Sequence, residues 1–287
     1  MVASSYRPHG LNTIARMWSK LGGVTELPGH QFQFAVDAFA GMGHAMRQYR
    51  KEVASKFTEL TWGSGAVIVG GGVAAVMVVL GLSIGAMIAI FGYNLLGTLG
   101  AGPLAGMLTA VTVTRELGPI MAAVGFAIQA GCRITAEVGS MRIAEEIDAL
   151  EAQGIRPIPY VVSTRLIAGM AAILPIYVLS LALCFWSAKF GLTTIFGQPG
   201  GSYTHYFDLF INGRDIVYSL IKVVVFVIAV TIAHSYYGFY ATGGPEGVGV
   251  AAGRAIRASL VLIVVLDMVL TLGMWGIAST TSISFSG

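Results

Sequence analysis

Charged residues are scarce in this sequence of 287 residues, and their scarcity decides the class of protein. Only 11% of the residues are Asp, Glu, Lys or Arg, whereas 55% are hydrophobic and the mean hydropathy is +0.77. Soluble domains carry about 25% charged residues. No charged residue occurs between Glu59 and Arg115, a stretch far longer than the ~20 apolar residues that one spanning helix needs. The sequence therefore predicts an all-α integral membrane protein that crosses the bilayer several times.

Catalytic and metal-binding motifs are also missing from the sequence. It contains no HExxH or GxSxG motif and no paired residues at metal-ligand spacing, so neither a metal site nor an enzymatic activity is expected. None of the five lysines follows a glycine, which excludes the GxxxxGK(S/T) loop that cradles ATP phosphates. Cys132 and Cys184 lie in apolar segments and are expected to pack in the membrane rather than to form a disulfide. The basic residues form no dense cluster, which argues against nucleic-acid binding.

Five apolar segments are long enough to span a membrane. They cover residues 66–92, 103–133, 163–189, 215–238 and 254–280. We therefore divide the chain into an amino-terminal segment, 1–62, and a five-span domain, 63–287. In the first span, Gly81 and Gly85 form a GxxxG pattern, which would let another helix approach closely.

Lysine and arginine are distributed unevenly between the connections. Seven lie in residues 1–62, four follow the second span and two follow the fourth, but the first connection and the carboxyl-terminal tail have none. The third connection has only Arg214, with Lys189 at its edge. Because basic residues are retained on the cytoplasmic side, we expect a plasma-membrane protein with a cytoplasmic amino terminus and an external carboxyl terminus.

An amphipathic pattern precedes the first span. Apolar side chains recur at helical spacing and are followed by basic ones; the residues are Phe32, Ala35, Phe39, Met42 and Met46, then Arg47, Arg50 and Lys51. The pattern predicts a helix that lies in the membrane interface, with its rings in the acyl boundary and its cations at the headgroups. The alternative is a soluble helix that packs on the protein with the same apolar face.

A short acidic helix is predicted between the second and third spans, over about residues 140–152. Its sequence, GSMRIAEEIDALEAQGIRP from 139 to 157, ends at Gly154 and Pro157, which stop helices. Ile143, Ile147 and Leu150 form an apolar stripe, and most of the remaining surface is acidic. A rigidly held acidic helix is suited to docking a basic partner, whereas the alternative is a solvated polar face. The candidate docking residues are Arg142, Glu145, Glu146, Ile147, Asp148 and Leu150.

Residues 114–169, which begin TRELGPIMAAVGFAIQAG, resemble the signature of the YrbE/MlaE permeases. Residues 215–241 and the stretch LDMVLTLGMWG, 266–276, are similar to their fourth and fifth spans. The resemblance covers about residues 30–280. The extended amino terminus with YRKEV resembles the B-type YrbE subunit of actinobacterial Mce lipid transport systems.

The resemblance implies a fold, partners and a function. The fold is the five-span MlaE-type permease with an amino-terminal interfacial helix, and the 140–152 helix is a coupling helix that seats in a nucleotide-binding ATPase subunit. The chain binds no cofactor, since ATP and Mg belong to that ATPase. An A-type YrbE permease completes a heterodimer, for which we expect exposed small-residue surfaces at residues 81–85 and 102–106. Hydrophobic lipids such as fatty acids, mycolic-acid-related lipids or sterols pass between the permeases and MCE-domain proteins outside.

The chain departs from this family pattern at one place. Many members carry Gly-Arg where this sequence has Ile128-Gln129. Arg133 follows one helical turn later, at a position from which it could substitute for the family arginine.

Four charged residues and a proline lie inside the predicted spans. Arg115 and Glu116 are about twelve residues, or ~18 Å, from the start of the second span, and Lys222 and Asp267 lie in the fourth and fifth. Such groups are costly in lipid and normally face the protein interior in pairs. Pro119 cannot donate a backbone hydrogen bond, so it frees the carbonyl of Arg115 and kinks the helix. The charges either knit the spans together or line a polar floor beneath a lipid cavity.

A proton-coupled secondary transporter is the alternative function. Glu116, Asp267 and His234 are titratable residues within spans and could carry protons. Secondary carriers commonly have repeated halves, which this sequence lacks, and they have no need of an acidic docking helix. A packed core histidine is the simpler interpretation of His234.

Overall fold

The computed structural model describes residues 9–63 and 71–276, with side chains from residue 29 onward except that of residue 103. This part of the chain consists of helices joined by short turns, with a β-bridge between Gly63 and Gly71. We number the helices in chain order as follows: α1 (His9–Gln48), α2 (Arg50–Trp62), α3 (Val73–Thr98), α4 (Ala105–Ile143), α5 (Glu146–Ala152), α6 (Ile158–Ile195), α7 (Gly200–Phe210), α8 (Gly213–Phe239) and α9 (Gly244–Gly276).

Five of these helices, α3, α4, α6, α8 and α9, are long and apolar enough to cross a membrane. The predicted all-α fold with five spans is therefore confirmed. Two of the helices, α4 and α9, run past the predicted limits where their sequence turns polar, because helical hydrogen bonding continues beyond the apolar part. Thus α4 ends at Ile143 instead of 133, and α9 begins at Gly244 instead of 254. The 39 residues of α4 correspond to about 58 Å, which exceeds a hydrocarbon core of about 30 Å.

The spans define two ends of the bundle. The short-helix end holds α1, α2, α5 and the turn between α8 and α9. The far end holds α7, the turn between α3 and α4, and the end of α9.

Helices α3 and α6 pack closely through small residues. Gly81 of α3 lies against the backbone of Ser180, and the hydroxyl of Ser180 donates a hydrogen bond of 2.8 Å to the carbonyl of Met77. Gly85 packs in the same way against Cys184 one turn later. The GxxxG pattern thus binds a helix of its own chain.

The predicted exposure of the small-residue surfaces is therefore wrong. Gly81 and Gly85 are buried beneath α6. Gly106 is buried against Tyr203 and Phe207 of α7. Small residues permit a close approach, but their spacing does not say which helix approaches.

We predict that Gly85→Leu destabilises the α3–α6 pair. A Cβ atom at residue 85 would lie 2.8 Å from the Cβ atom of Ser187, and overpacking of this kind costs about 1–3 kcal/mol. The measurement is the melting temperature of the detergent-solubilised protein. The matched control is Ala86→Leu, because Ala86 is exposed on the same helix. Equal melting temperatures for the two variants would refute the packing.

Helix α1 carries apolar side chains on two faces. Phe34 and Ala38 are buried against the bundle, and Phe34 contacts the rings of Tyr236 and Phe239. Phe32 and Phe39, from the predicted interfacial stripe, point outward and are exposed. The stripe is therefore not the face that packs on the protein, and it remains free to contact lipid.

Candidate functional site

Lys222 of α8 is the centre of a charged cluster inside the far half of the bundle. Its side chain is fully buried. The ammonium lies 2.6 Å from the carboxylate of Asp267 on α9 and 3.4 Å from that of Glu116 on α4. It also donates to the hydroxyl of Thr271 at 2.9 Å, and that hydroxyl donates to Glu116 at 2.9 Å. One buried cation therefore joins three spans.

The proline of α4 provides a further partner for Lys222. Because Pro119 has no N–H, the carbonyl of Arg115 loses its helical donor, and Lys222 Nζ donates to that carbonyl at 2.8 Å. The preceding turns of α4 are wide, and the N–H of Gly118 reaches back five residues to Val113. The helix distortion thus creates an acceptor that the buried ammonium uses.

Arg115 makes its ion pair with Asp215 at the start of α8. Its Nε and Nη2 atoms lie 3.0 and 2.9 Å from the same carboxylate oxygen. The other oxygen of Asp215 accepts a hydrogen bond of 2.8 Å from the indole of Trp275. That ring lies 5.6 Å from the guanidinium of Arg115 and 5.5 Å from the ammonium of Lys222, within range of cation–π attraction.

Three members of this cluster were not predicted from the sequence: Asp215, Thr271 and Trp275. Asp215 was taken as the first residue of a span, although its spacing of seven residues from Lys222 places both on one helix face. Thr271 and Trp275 follow Asp267 at intervals of four residues, which also places all three on one face. Helix periodicity applied to the known charges would have found all of them.

With Asp215 included, the cluster holds two cations and three acids. Lys222 is fully buried, but the side chains of Arg115 and Glu116 are 35% and 36% exposed. The ion pairs of Lys222 are thus shielded inside the bundle, whereas Arg115 and Glu116 are partly exposed at its surface. The geometry of the cluster lets it hold α4, α8 and α9 together while presenting two charges at the surface of the bundle.

A second ion network lies at the short-helix end. Glu137 of α4 contacts Lys56 of α2 at 3.2 Å, Arg133 at 2.9 Å and Arg165 of α6 at 3.1 Å. Glu59 of α2 pairs with Lys56 at 2.8 Å and also with Arg133. From the sequence, Lys56 and Arg165 were interpreted only as indicators of orientation, and Arg133 also as a possible substitute for the family arginine. The i,i+4 spacing of Arg133 and Glu137 was the available signal for a pair.

Gln129, which stands where many family members carry arginine, makes a specific contact in the structure. Gln129 donates a hydrogen bond of 2.6 Å to the carbonyl of Gly71, at the start of α3. Arg133 points instead to Glu59 and Glu137. Gln129 therefore joins α4 to the backbone next to α3, and Arg133 joins it to α2.

The predicted acidic helix is present, with corrected bounds. Residues up to Ile143 belong to α4, and a sharp turn with Glu145 at φ 58° separates them from α5, Glu146–Ala152. At its end Gly154 adopts φ 77°, and the N–H groups of Gly154 and Ile155 donate to the carbonyls of Glu151 and Leu150. This is a Schellman cap, as Gly154 predicted.

The apolar stripe of α5 faces its own chain. Ile147 is 1% exposed and offers no apolar surface to a partner, whereas Leu150 is half-buried against the same core and Ile143, at the end of α4, is exposed. The predicted docking role is therefore corrected for Ile147, which anchors the helix, while the role of Leu150 stays a prediction. Glu145, Glu146 and Asp148 are exposed, and Asp148 pairs with Arg142 at 2.7 Å. The outward surface of α5 is acidic.

His234 of α8 is a packed core residue. It is fully buried, and its ring nitrogens lie 2.8 Å from the hydroxyl of Thr135 and 3.3 Å from that of Ser259. It is twelve residues from Lys222, about 18 Å along the helix. His234 contacts neither Glu116 nor Asp267, so the three candidate proton carriers do not form one path.

The comparisons with known proteins agree with this architecture. A family model described as Permease MlaE matches residues 63–272, which include all five spans up to the last turns of α9. The chain belongs to the MlaE permease family. The match includes α5 and every charged residue of the far-half cluster, but neither α1 nor α2.

Several curated relatives support the assignment. The intermembrane phospholipid transport system permease protein MlaE of Haemophilus influenzae is 30% identical over 208 residues, covering 71% of this chain and 80% of the relative. The probable ABC transporter permease protein slr1045 of Synechocystis is 33% identical over 180 residues, covering 60% and 65%. The chloroplastic protein TRIGALACTOSYLDIACYLGLYCEROL 1 of Arabidopsis thaliana is 28% identical over 166 residues, covering 58% and 47%.

Membership of the MlaE family decides between the broad classes of function. The family consists of permease subunits rather than enzymes, in agreement with the missing catalytic motifs. Among the residues that the structure describes, no group of three or more His, Cys, Asp or Glu side chains is placed to hold a metal ion. A proton-coupled carrier is not favoured, since the family assignment and the position of His234 both argue against it.

Proposed function

We propose that this chain is the membrane subunit of an ATP-driven lipid transporter of the Mce type, in the role of the B-type YrbE permease. The observation that carries the proposal is α5: it is acidic on its outward surface, anchored by the buried Ile147 and capped at both ends by turns. A partner that docks there can transmit force, because a rigidly seated helix moves with the spans that bracket it. The chain has no phosphate-binding loop, so ATP and Mg belong to a separate ATPase.

The orientation follows from the same proposal. The short-helix end, with α5 and most of the basic connections, lies in the cytoplasm, and the carboxyl terminus lies outside. Helix α1 lies in the cytoplasmic interface with Phe32 and Phe39 toward lipid. An A-type YrbE chain completes the permease, and MCE-domain proteins receive or deliver lipid on the outer side.

The substrates that fit the resemblance are fatty acids, mycolic-acid-related lipids or sterols. The relatives named for phospholipid transport and for ABC permeases support lipid transport as the general activity. The charged cluster around Lys222 contributes a polar wall near the outer half of the bundle, with Arg115 and Glu116 turned outward. Carboxylate or phosphate groups of a lipid would meet Arg115 first at this surface.

The experiment is purification of the tagged chain from its own membranes, followed by reconstitution. We expect an ATPase, a second YrbE permease and MCE-domain proteins to co-purify. Transfer of radiolabelled oleate or cholesterol should require ATP, and it should stop when the phosphate-loop lysine of the ATPase is replaced. A preparation with this chain as the sole permease that moves lipid without ATP, driven by a pH gradient, would overturn the proposal.

A further inference from the structure

Two adjoining grooves lie at the short-helix end, the larger between α8 and α9 and the smaller between α1, α8 and α9. One, of about 450 Å³, is polar at its rim and is lined by Tyr236, Tyr237, Thr242, Glu246, Val250 and Arg254. The other, of about 270 Å³, is mostly apolar and is lined by Phe32, Ile232, Tyr236, Tyr237, Ala258 and Leu262. Both are lined by Tyr236 and Tyr237, so they adjoin at the end of α8, and we treat them as one groove with a polar and an apolar half.

The aromatic wall of this groove is fixed by α1. The hydroxyl of Tyr236 lies 3.0 Å from Nδ1 of His30. The ring of Phe34 packs edge-on against Tyr236 at 5.4 Å, and His30 packs against Tyr240 at 4.9 Å. The wall is therefore built before any ligand arrives, which lowers the entropic cost of binding.

The groove changes from polar to apolar at Arg254. This residue lies one helical turn before Ala258, which lines the apolar half, while Glu246 lies about 12 Å earlier along α9 at the outer rim. Tyr236 and Tyr237 lie within the last turn of α8, where tyrosines mark the boundary between headgroups and acyl chains. The polar half is thus at headgroup depth and the apolar half is deeper in the bilayer.

Arg254 provides the positive charge in the lining of the groove. Its side chain is exposed and makes no ion pair or hydrogen bond with any residue that the structure describes. A guanidinium at the mouth of an apolar groove is suited to a phosphate, which it binds through two parallel hydrogen bonds. Basic pockets between spans on the cytoplasmic side characteristically bind phospholipid headgroups.

We propose that this groove binds one phospholipid of the adjacent leaflet, with its phosphate on Arg254 and one acyl chain between Phe32 and Leu262. The site lies at the opposite end of the bundle from the Lys222 cluster, and it does not depend on the transport function proposed above. A phospholipid fits better than a protein segment because the apolar half faces the side of the bundle at bilayer depth, next to the outward rings of α1.

The test is native mass spectrometry of the complex that the chain forms in cells, purified in detergent with added phosphatidylglycerol. The Arg254→Gln variant should retain about tenfold less phospholipid, which corresponds to ~1.4 kcal/mol of binding free energy. Arg257→Gln is the matched control, because Arg257 is exposed on the same helix and does not line the groove. Diacylglycerol, which has the chains without the phosphate, should not be retained, and inorganic phosphate should not compete.

A second pair of variants keeps the test decisive if Arg254→Gln folds poorly. Ala258→Trp fills the apolar half and should also expel the lipid, whereas Val261→Trp, on the exposed side of α9, should not. Equal retention in both arginine variants, or in both tryptophan variants, would overturn the proposal. So would loss of the ATPase from the Arg254→Gln complex with an unchanged lipid content, because it would assign the groove to a protein partner.

Discussion

Replacing Lys222 by methionine is expected to remove most of the folded protein from the membrane. The substitution keeps the length of the side chain but leaves Glu116, Asp267 and the carbonyl of Arg115 without their shared cation. Breaking a buried ion pair from one side costs about 3–5 kcal/mol, a large part of the 5–15 kcal/mol that stabilises a typical domain. The measurement is the amount of protein in the membrane fraction and its melting temperature in detergent.

The control is Lys189→Met, which removes a lysine that is exposed near the end of α6. We expect it to behave as the unmodified chain. The double variant Lys222→Met with Asp267→Asn should recover part of the loss, because the buried acid then no longer needs a cation. Lys222→Met protein that is as abundant and as stable as Lys189→Met protein would show that the cluster does not hold the spans together.

The sequence predicts which charged residues belong to the cluster around Lys222 better than it predicts which of them form ion pairs. Charge is expensive in lipid, so Arg115, Glu116, Lys222 and Asp267 were expected to find partners within the bundle, and the geometry of proline identified the free carbonyl of Arg115. The partner of Arg115 could not be predicted, because Asp215 and Asp267 lie on different helices. Which acid reaches the guanidinium depends on how α8 and α9 are set against α4, and this is decided by packing rather than by local pattern.

The five spans were predictable because they depend on local composition. Which helix each of their surfaces contacts was not predictable. A GxxxG pattern at Gly81 and Gly85 indicates a close helix contact without saying whether the second helix belongs to the same chain. The stripe at Ile147 and Leu150 likewise indicates burial without saying against what. In both places the contact is internal, because a chain with five spans supplies most of its own partners.

The polar network around Glu137 shows a similar limit. The unequal distribution of lysine and arginine predicts orientation, since each cation is counted separately. Three of these cations nevertheless form ion pairs with Glu59 and Glu137: Lys56, Arg133 and Arg165. These pairs connect α2 to α4 and α4 to α6. Basic residues near the ends of spans can therefore serve the fold as well as the topology, and only the structure separates the two roles.

The acidic surface of α5 leads to the other large expected effect. Reversing two acids, Glu146→Lys with Glu151→Lys, should reduce capture of the ATPase about tenfold or more, because charge pairs across an interface govern its encounter rate and register. These two acids are chosen because Asp148 already pairs with Arg142 and Glu145 occupies the strained turn. Both are exposed and make no ion pair in the described part of the chain. The measurement is recovery of the ATPase with the tagged permease, alongside lipid transport in the same cells.

Two further variants separate docking from folding. Asp208→Lys reverses an exposed acid on α7 at the far end and should leave ATPase capture unchanged. Ile147→Asp places a charge at a position that is 1% exposed, so it forfeits about 1.5–3 kcal/mol of apolar burial and should lower the amount of folded protein. The double reversal, by contrast, changes only exposed side chains and should leave that amount unaltered. If the doubly reversed chain still captures the ATPase and transports lipid at the original rate, then α5 is merely solvated and the force must enter the permease elsewhere.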